Sequence, residues 1–207
     1  MPGTQGKKQS QGTLEVICGP MFSGKSGELI RRLDRAKLAK LNVLTCKHCI
    51  DDRYMIECVV THDGKKLEAR AVENVDDILK FGLTEETDVI GVDEGQWFDN
   101  QFVSVVCRLI DAGKRVIVAG LDLDFRGVPF GCMPTLLAIA DNVTKLRAVC
   151  CICGADAHFT QRLVNDNPAK YNDPVVLVGA QEMYQARCRN CHAIDKRPTF
   201  LTMRQWY

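Results

Sequence analysis

The chain has 207 residues, of which 46% are hydrophobic, and it carries a formal net charge of +1. This length suits one α/β domain with a small addition, and the apolar content excludes a globally disordered chain. A net charge near zero gives no overall attraction to nucleic acid or to a membrane surface.

The chain opens with a polar segment, Met1 to Gly12, which has no large apolar side chain beyond the initiator methionine. We expect a disordered tail there. No stretch resembles a secretory signal, and no run approaches the roughly 20 apolar residues of a membrane span. We therefore expect a cytoplasmic protein that does not bind membranes.

An apolar strand, Thr13–Cys18, leads into a phosphate-binding sequence and then into a helical pattern. The binding sequence consists of Gly19, Pro20, Met21, Phe22, Ser23, Gly24, Lys25 and Ser26. This is G-x-x-x-x-G-K-S between a strand and a helix, the P-loop pattern. Its backbone N–H groups and the helix dipole converge on one cavity. We expect a nucleoside triphosphate there, with Lys25 on the β- and γ-phosphates and Ser26 on Mg²⁺.

Apolar strands and helices alternate along the next part of the chain. The predicted strands are Asn42–Cys46, Asp88–Glu94, Arg115–Gly120 and Val143–Val149, and the predicted helices are Lys25–Leu41, Val75–Phe81, Asp99–Ala112 and Met133–Ala140. Lys47–Lys66 is a polar, irregular connection, and Leu121–Gly131 is a loop rich in aspartate, glycine and aromatic residues. We therefore predict an α/β fold at residues 13–147, with a P-loop (RecA-like), mostly parallel sheet flanked by helices.

Two acids, Asp93 and Glu94, end the strand at Asp88–Glu94. The carboxyl ends of parallel strands form the edge where ligands bind, so both acids are predicted to lie near the P-loop. The first acid after such a strand holds Mg²⁺ in P-loop proteins, and the second could accept the proton of an attacking hydroxyl. We assign Mg²⁺ to Asp93, the general base to Glu94 and nucleotide binding to Gln96. A guanine-reading N-K-x-D element is missing, which disfavours a switch GTPase.

Eleven cysteines, an odd number, argue against a closed disulfide framework. Cys150-x-x-Cys153 and Cys188-x-x-Cys191 form two knuckles that can supply four thiolates to one tetrahedral Zn²⁺. His192 could replace Cys191 as the fourth ligand, and Cys151 is a second alternative. We predict a zinc-binding lasso domain at residues 148–193, with strand-like segments at Ala157–Val164 and Val175–Gly179, and a C-terminal tail at 194–207.

Several motifs together closely resemble the cytosolic-type (type II) thymidine kinases, with a bacterial-like pattern. They are GPMFSGKS-GELIRR, THDG, DEGQWF, AGLDLDFRGVPFG and the paired C-x-x-C knuckles, and they run from about Leu14 to His192. The resemblance implies ATP-dependent phosphorylation of thymidine, and of deoxyuridine, at the 5′-hydroxyl, giving dTMP in pyrimidine salvage for DNA synthesis. It also implies a homotetramer and feedback inhibition by dTTP.

The same resemblance implies where the acceptor binds. Phe125 is implied to stack on thymine, inside a wall made by Met21, Leu121, Phe130, Thr160 and Tyr184. The backbone of Val176, Leu177, Val178 and Gly179 is implied to hydrogen-bond the edge of the base, and Arg53 to lie near the reacting phosphate. This set suits thymine, which needs an aromatic face, an apolar slot for its methyl group and amide partners.

Two alternatives remain open from the residues. A P-loop, zinc-ribbon ATPase that binds nucleic acid would explain the basic C-terminal part (Arg147, Arg162, Arg187, Arg189, Lys196, Arg197 and Arg204). Those residues are scattered among acids, whereas salt-dependent binding needs a concentrated basic stripe, so we expect no nucleic-acid partner. A kinase for another pyrimidine deoxynucleoside is the second alternative, which Leu121–Gly131 and Asn165–Gly179 should decide.

Overall fold

The computed structural model describes residues 11–49, 58–60, 66–84, 86–175 and 182–195. Arg53, the four lasso residues from Val176 to Gly179 and most of both predicted tails lie outside these described residues. None of the helices in the described part of the chain has the length and apolar character that a bilayer crossing needs.

The predicted strands and helices are present as far as residue 145, and three short strands that the sequence did not predict precede the helix at Val75. In chain order they are β1 (Thr13–Cys18), α1 (Lys25–Leu38), β2 (Val43–His48), β3 (Cys58–Val60), β4 (Lys66–Glu68), β5 (Arg70–Val72), α2 (Val75–Gly82), β6 (Val89–Asp93), a 3₁₀ turn (Gly95–Trp97), α3 (Gln101–Asp111), β7 (Arg115–Gly120), α4 (Met133–Ile139), β8 (Asn142–Lys145), β9 (Ala148–Val149), β10 (Asp156–Ala157), β11 (Phe159–Val164), β12 (Asn167–Pro168) and β13 (Glu182–Arg187).

A six-stranded sheet in the order β5-β2-β6-β7-β1-β8 forms the centre of the larger unit. All five strand pairs are parallel, so the carboxyl ends of β1, β6 and β7 meet at one edge. The prediction of a mostly parallel α/β sheet flanked by helices is confirmed.

Helices cover both faces of this sheet. Strand residues alternate between faces, so Val16 and Val118 pack with α2, α3 and α4, whereas Ile17 and Ile117 pack with α1. Burial on both faces explains why the strands appear in the sequence as continuous apolar runs.

The smaller unit consists of antiparallel strands and has little apolar core. β9 pairs with β10, and a three-stranded sheet has the order β12-β11-β13. Near the knuckles, its buried cluster contains only alanine and cysteine side chains, namely Ala148, Cys150, Ala157, Ala186 and Cys188. So small a core is typical of units that a bound metal stabilises.

The single predicted strand at Val143–Val149 is wrong, because the structure divides it between two sheets. β8 continues the parallel sheet, whereas β9 pairs with β10. The break lies at Leu146, whose N–H donates to the Cys18 carbonyl at 2.8 Å. A Cβ on Gly19 would stand 2.5 Å from the Leu146 carbonyl oxygen, so the chain leaves the sheet where it packs on the P-loop. The polar connection at Lys47–Lys66 also contains the end of β2 and the short β3.

Candidate active site and metal centre

The P-loop lies between β1 and α1 at the carboxyl edge of the sheet. Gly24, at the start of α1, has φ 84°, a left-handed conformation that glycine adopts without strain. Lys25 Nζ and Ser23 Oγ both donate to the Pro20 carbonyl, each at 2.8 Å. The ammonium group therefore lies back over the loop. An anion is favoured at this start of α1.

Asp93 is buried at the end of β6 and accepts a hydrogen bond from the Glu94 N–H at 3.0 Å. Its carboxyl group also bonds the Ser26 side chain. Burial, followed by the charge of Glu94, raises the pKa of Asp93 to about 7. The two residues assigned to Mg²⁺ are thus in contact, and a divalent cation would stabilise the carboxylate in this dry position.

Lys25 interacts electrostatically with Glu94 and Asp93. Burial lowers the pKa of Lys25, while Glu94 and Asp93, in that order, raise it. The ammonium group and the two acids therefore lie close enough to interact at this edge.

Glu94 has a left-handed backbone, with φ 56° and ψ 39°, which is uncommon for a residue with a side chain. Its carboxylate Oε2 accepts from Gln96 Nε2 at 2.5 Å. Gln96 Oε1 in turn accepts from the Leu121 N–H at 2.9 Å. The structure therefore places the buried Gln96 side chain between Glu94 and the first residue of the loop after β7.

The loop Leu121–Gly131 holds the predicted aromatic residues. Asp124 organises it by accepting from the N–H groups of Arg126 and Val128 at 2.8 and 3.1 Å. The buried Phe125 ring lies 3.9 Å below the Arg162 guanidinium carbon. Separately, the Phe130 ring packs edge-on against the ring of Trp97, with 5.0 Å between centroids.

The P-loop also contacts the smaller unit directly. The Met21 N–H donates to Thr160 Oγ1 at 3.0 Å, which joins the loop to β11. Tyr184 lies on β13 opposite Arg162 of β11. The structure thus joins Met21 to Thr160 and Leu121 to Gln96, while Arg53 and residues 176–179 lie outside the described part.

The four predicted zinc ligands, Cys150, Cys153, Cys188 and Cys191, converge. All four sulfur atoms lie within 4.8 Å of one another, and Cys153 Sγ is 3.6 Å from Cys188 Sγ. Four sulfurs bound tetrahedrally to Zn²⁺ at about 2.3 Å would be about 3.8 Å apart, so the cluster fits this ion.

The four thiols also differ in pKa because they share hydrogen bonds within the cluster. The Cys188 N–H lowers the pKa of Cys150 to about 6, and the Cys191 N–H lowers that of Cys188. The thiol of Cys188, followed by that of Cys153, raises the pKa of Cys191 to about 12. Zn²⁺ would allow all four groups to be thiolates.

The two alternative ligands have other partners. His192 Nε2 lies 2.8 Å from the Phe125 carbonyl oxygen, and Cys151 Sγ donates to Gln185 Oε1 at 3.3 Å. Neither belongs to the metal cluster that the described residues form.

Sequence reasoning missed two buried charges near the site. Arg162 is fully buried in β11 and donates to the Pro174 carbonyl at 2.7 Å, directly before the lasso segment. Asp122 is buried in the loop after β7, with Oδ2 2.7 Å from Lys145 Nζ. A single arginine inside the strand-like segment Ala157–Val164 is the signal in the sequence that points to a buried charge there.

The family comparison covers this whole arrangement. Residues 12–192 match the family model described as "TK: Thymidine kinase". This span includes the P-loop, both acids, the loop after β7 and all four cysteines. The chain therefore belongs to the thymidine kinase family.

Proposed function

We propose that this thymidine kinase transfers the γ-phosphoryl group of ATP to the 5′-hydroxyl of thymidine, and of deoxyuridine, in cytoplasmic pyrimidine salvage. The observation that carries this proposal is the Glu94 carboxylate, held by Gln96 at 2.5 Å and close to Lys25 of the P-loop. A base candidate beside a phosphate cradle suits transfer to a hydroxyl better than simple nucleotide binding.

On the donor side, the P-loop N–H groups and the start of α1 would hold the phosphates, with residues Gly19–Ser26 around them. Lys25 would exchange its bond to the Pro20 carbonyl for one to the γ-phosphate. Ser26 and Asp93 would hold Mg²⁺, which neutralises phosphate charge when bound.

On the acceptor side, the loop after β7, Met21 and Thr160 would surround the thymine. Phe125 and Phe130 supply aromatic surface, and residues 176–179 would offer backbone partners to the base edge. Met21 is joined to Thr160 by a 3.0 Å hydrogen bond, so one P-loop residue can border both substrates.

In the transfer step, Glu94 would accept the proton of the 5′-hydroxyl as that oxygen attacks the γ-phosphorus. The new O–P bond forms as the bond from phosphorus to the departing ADP oxygen breaks. Gln96 donates to Oε2, which leaves Oε1 for the proton. Gln96 is therefore proposed to orient the base rather than to bind nucleotide.

The remaining expectations from the resemblance belong to the same proposal. A homotetramer and feedback inhibition by dTTP are expected. Zn²⁺ on the four cysteines would have a structural role, because a closed four-thiolate set leaves no position for a substrate.

The test is incubation of the zinc-loaded protein with ATP, Mg²⁺ and a panel of deoxynucleosides. Thymidine and deoxyuridine should be phosphorylated in preference to deoxycytidine and the purine nucleosides. Preference for deoxycytidine or a purine would overturn the acceptor assignment. Salt-sensitive DNA binding without nucleoside phosphorylation would favour the nucleic-acid ATPase instead.

A further inference from the structure

His192 connects the zinc knuckle to the loop that carries Phe125. Its Nε2 lies 2.8 Å from the Phe125 carbonyl oxygen. A carbonyl oxygen can only accept, so Nε2 carries the proton and donates. The imidazole is also stacked on the Phe159 ring, with centroids 4.8 Å apart and planes 20° from parallel. The hydrogen bond and the stacking contact both help to fix the position of this ring.

The backbone that carries His192 is itself well anchored. The His192 N–H donates to the Cys188 carbonyl at 3.0 Å, inside the knuckle turn. The next residue, Ala193, is bound on both sides by the fully buried Gln161, which accepts from its N–H and donates to its carbonyl, each at 2.8 Å. The imidazole thus extends from a fixed part of the smaller unit.

The loop that carries Phe125 packs closely on Phe159 and His192 of the smaller unit. Gly127 has φ 76°, and a Cβ there would stand 3.2 Å from Phe159 Cε1 and 3.9 Å from His192 Cε1. Residues of the smaller unit therefore hold Phe125 at two points, its carbonyl by His192 and its ring by the buried Arg162.

We propose that His192 is a positioning residue for the nucleoside acceptor, acting through the Phe125 carbonyl. This inference rests on the proposed function, which assigns Phe125 to the thymine base. Without the Nε2–H donor, the Phe125 segment loses one of these two restraints and the aromatic face is held less well for the base. Thymidine binding should weaken, whereas the P-loop and its ATP site keep all their contacts.

The matched pair His192→Phe and His192→Gln isolates this hydrogen bond. Phenylalanine keeps a flat ring for stacking on Phe159 but has no donor, whereas the glutamine amide nitrogen can reach the position of Nε2. We expect His192→Phe to raise the thymidine KM about three- to tenfold, the range of one neutral hydrogen bond. The KM for ATP and kcat should stay within about twofold, and His192→Gln should restore most of the thymidine KM.

Zinc content and thymidine binding by equilibrium dialysis are measured on the same preparations. Arg147→Gln serves as control, because it removes an exposed ion pair with Asp156 in the same unit and should change neither KM. If His192→Phe loses zinc, His192→Asn replaces it, since the shorter amide keeps polarity but does not reach the carbonyl.

The possible results distinguish a failure of the His192 role from a failure of the proposed function. A wild-type protein that does not phosphorylate thymidine contradicts the proposed function whatever the variants do. An active wild type with zinc-loaded His192→Phe of unchanged thymidine affinity contradicts only the role of His192. Equal increases in both KM values, or no recovery in His192→Gln, would show a general structural effect and overturn the positioning role.

Discussion

Replacing Gln96 by leucine tests whether one buried amide couples the base candidate to the acceptor loop. The Gln96 side chain is 2% exposed, donates to Glu94 Oε2 at 2.5 Å and accepts from the Leu121 N–H at 2.9 Å. Leucine fills a similar volume without polar atoms, so the substitution removes both hydrogen bonds and leaves little cavity.

The expected size of the effect follows from these two bonds. A hydrogen bond to a charged group contributes about 1.5–3 kcal/mol, and an unpaired buried N–H costs about 1–3 kcal/mol. Because leucine also regains some apolar burial, we expect the free energy of unfolding to fall by about 2–4 kcal/mol. The Glu94 carboxylate also loses its orientation, so kcat should fall between about tenfold and a hundredfold.

The assay combines steady-state kinetics with urea unfolding on the same zinc-loaded preparations. Gln101→Leu is the control, because Gln101 is exposed at the start of α3 and its replacement should leave kcat and stability nearly unchanged. A Gln96→Leu enzyme with reduced stability but wild-type kcat would refute the role of Gln96 in orienting the base. Unchanged stability would contradict the two hydrogen bonds themselves.

Three further predictions concern other parts of the site. Glu94→Gln should lower kcat about a hundredfold or more while ATP and thymidine still bind, and near-normal turnover would remove Glu94 from the role of base. Metal analysis should find one Zn²⁺ per chain on the four cysteines, and a wild-type protein without zinc would contradict the site. The Cys188→Ser variant should release the ion and unfold the smaller unit, which proteolysis would detect. Met21→Ala should raise the KM for thymidine more than that for ATP, because Met21 is joined to Thr160 of the smaller unit, and the reverse order would argue against a shared wall.

Much of the larger unit could be predicted from local patterns. The limits of β1 and β7 were predicted to the residue, because both are apolar runs bounded by clear turn residues. Short or polar strands such as β5 and β12 could not be predicted. Their three and two residues carry no periodicity, so only their pairing with other strands defines them. The false single strand at Val143–Val149 has the same cause: the turn at Leu146 depends on contacts with Cys18 and Gly19, more than 120 positions away.

For the site, the sequence alone determined the chemistry that local spacing encodes: a P-loop, two acids after a buried strand and two cysteine knuckles. Only the tertiary structure decided the partners. It selected Cys191 over His192 for the metal cluster, placed Gln96 between Glu94 and Leu121, and set Arg162 on the Phe125 ring. The physical reason is the separation along the chain between the residues that interact. A knuckle or a P-loop is set by neighbours along the chain, whereas these contacts depend on how separate elements pack together.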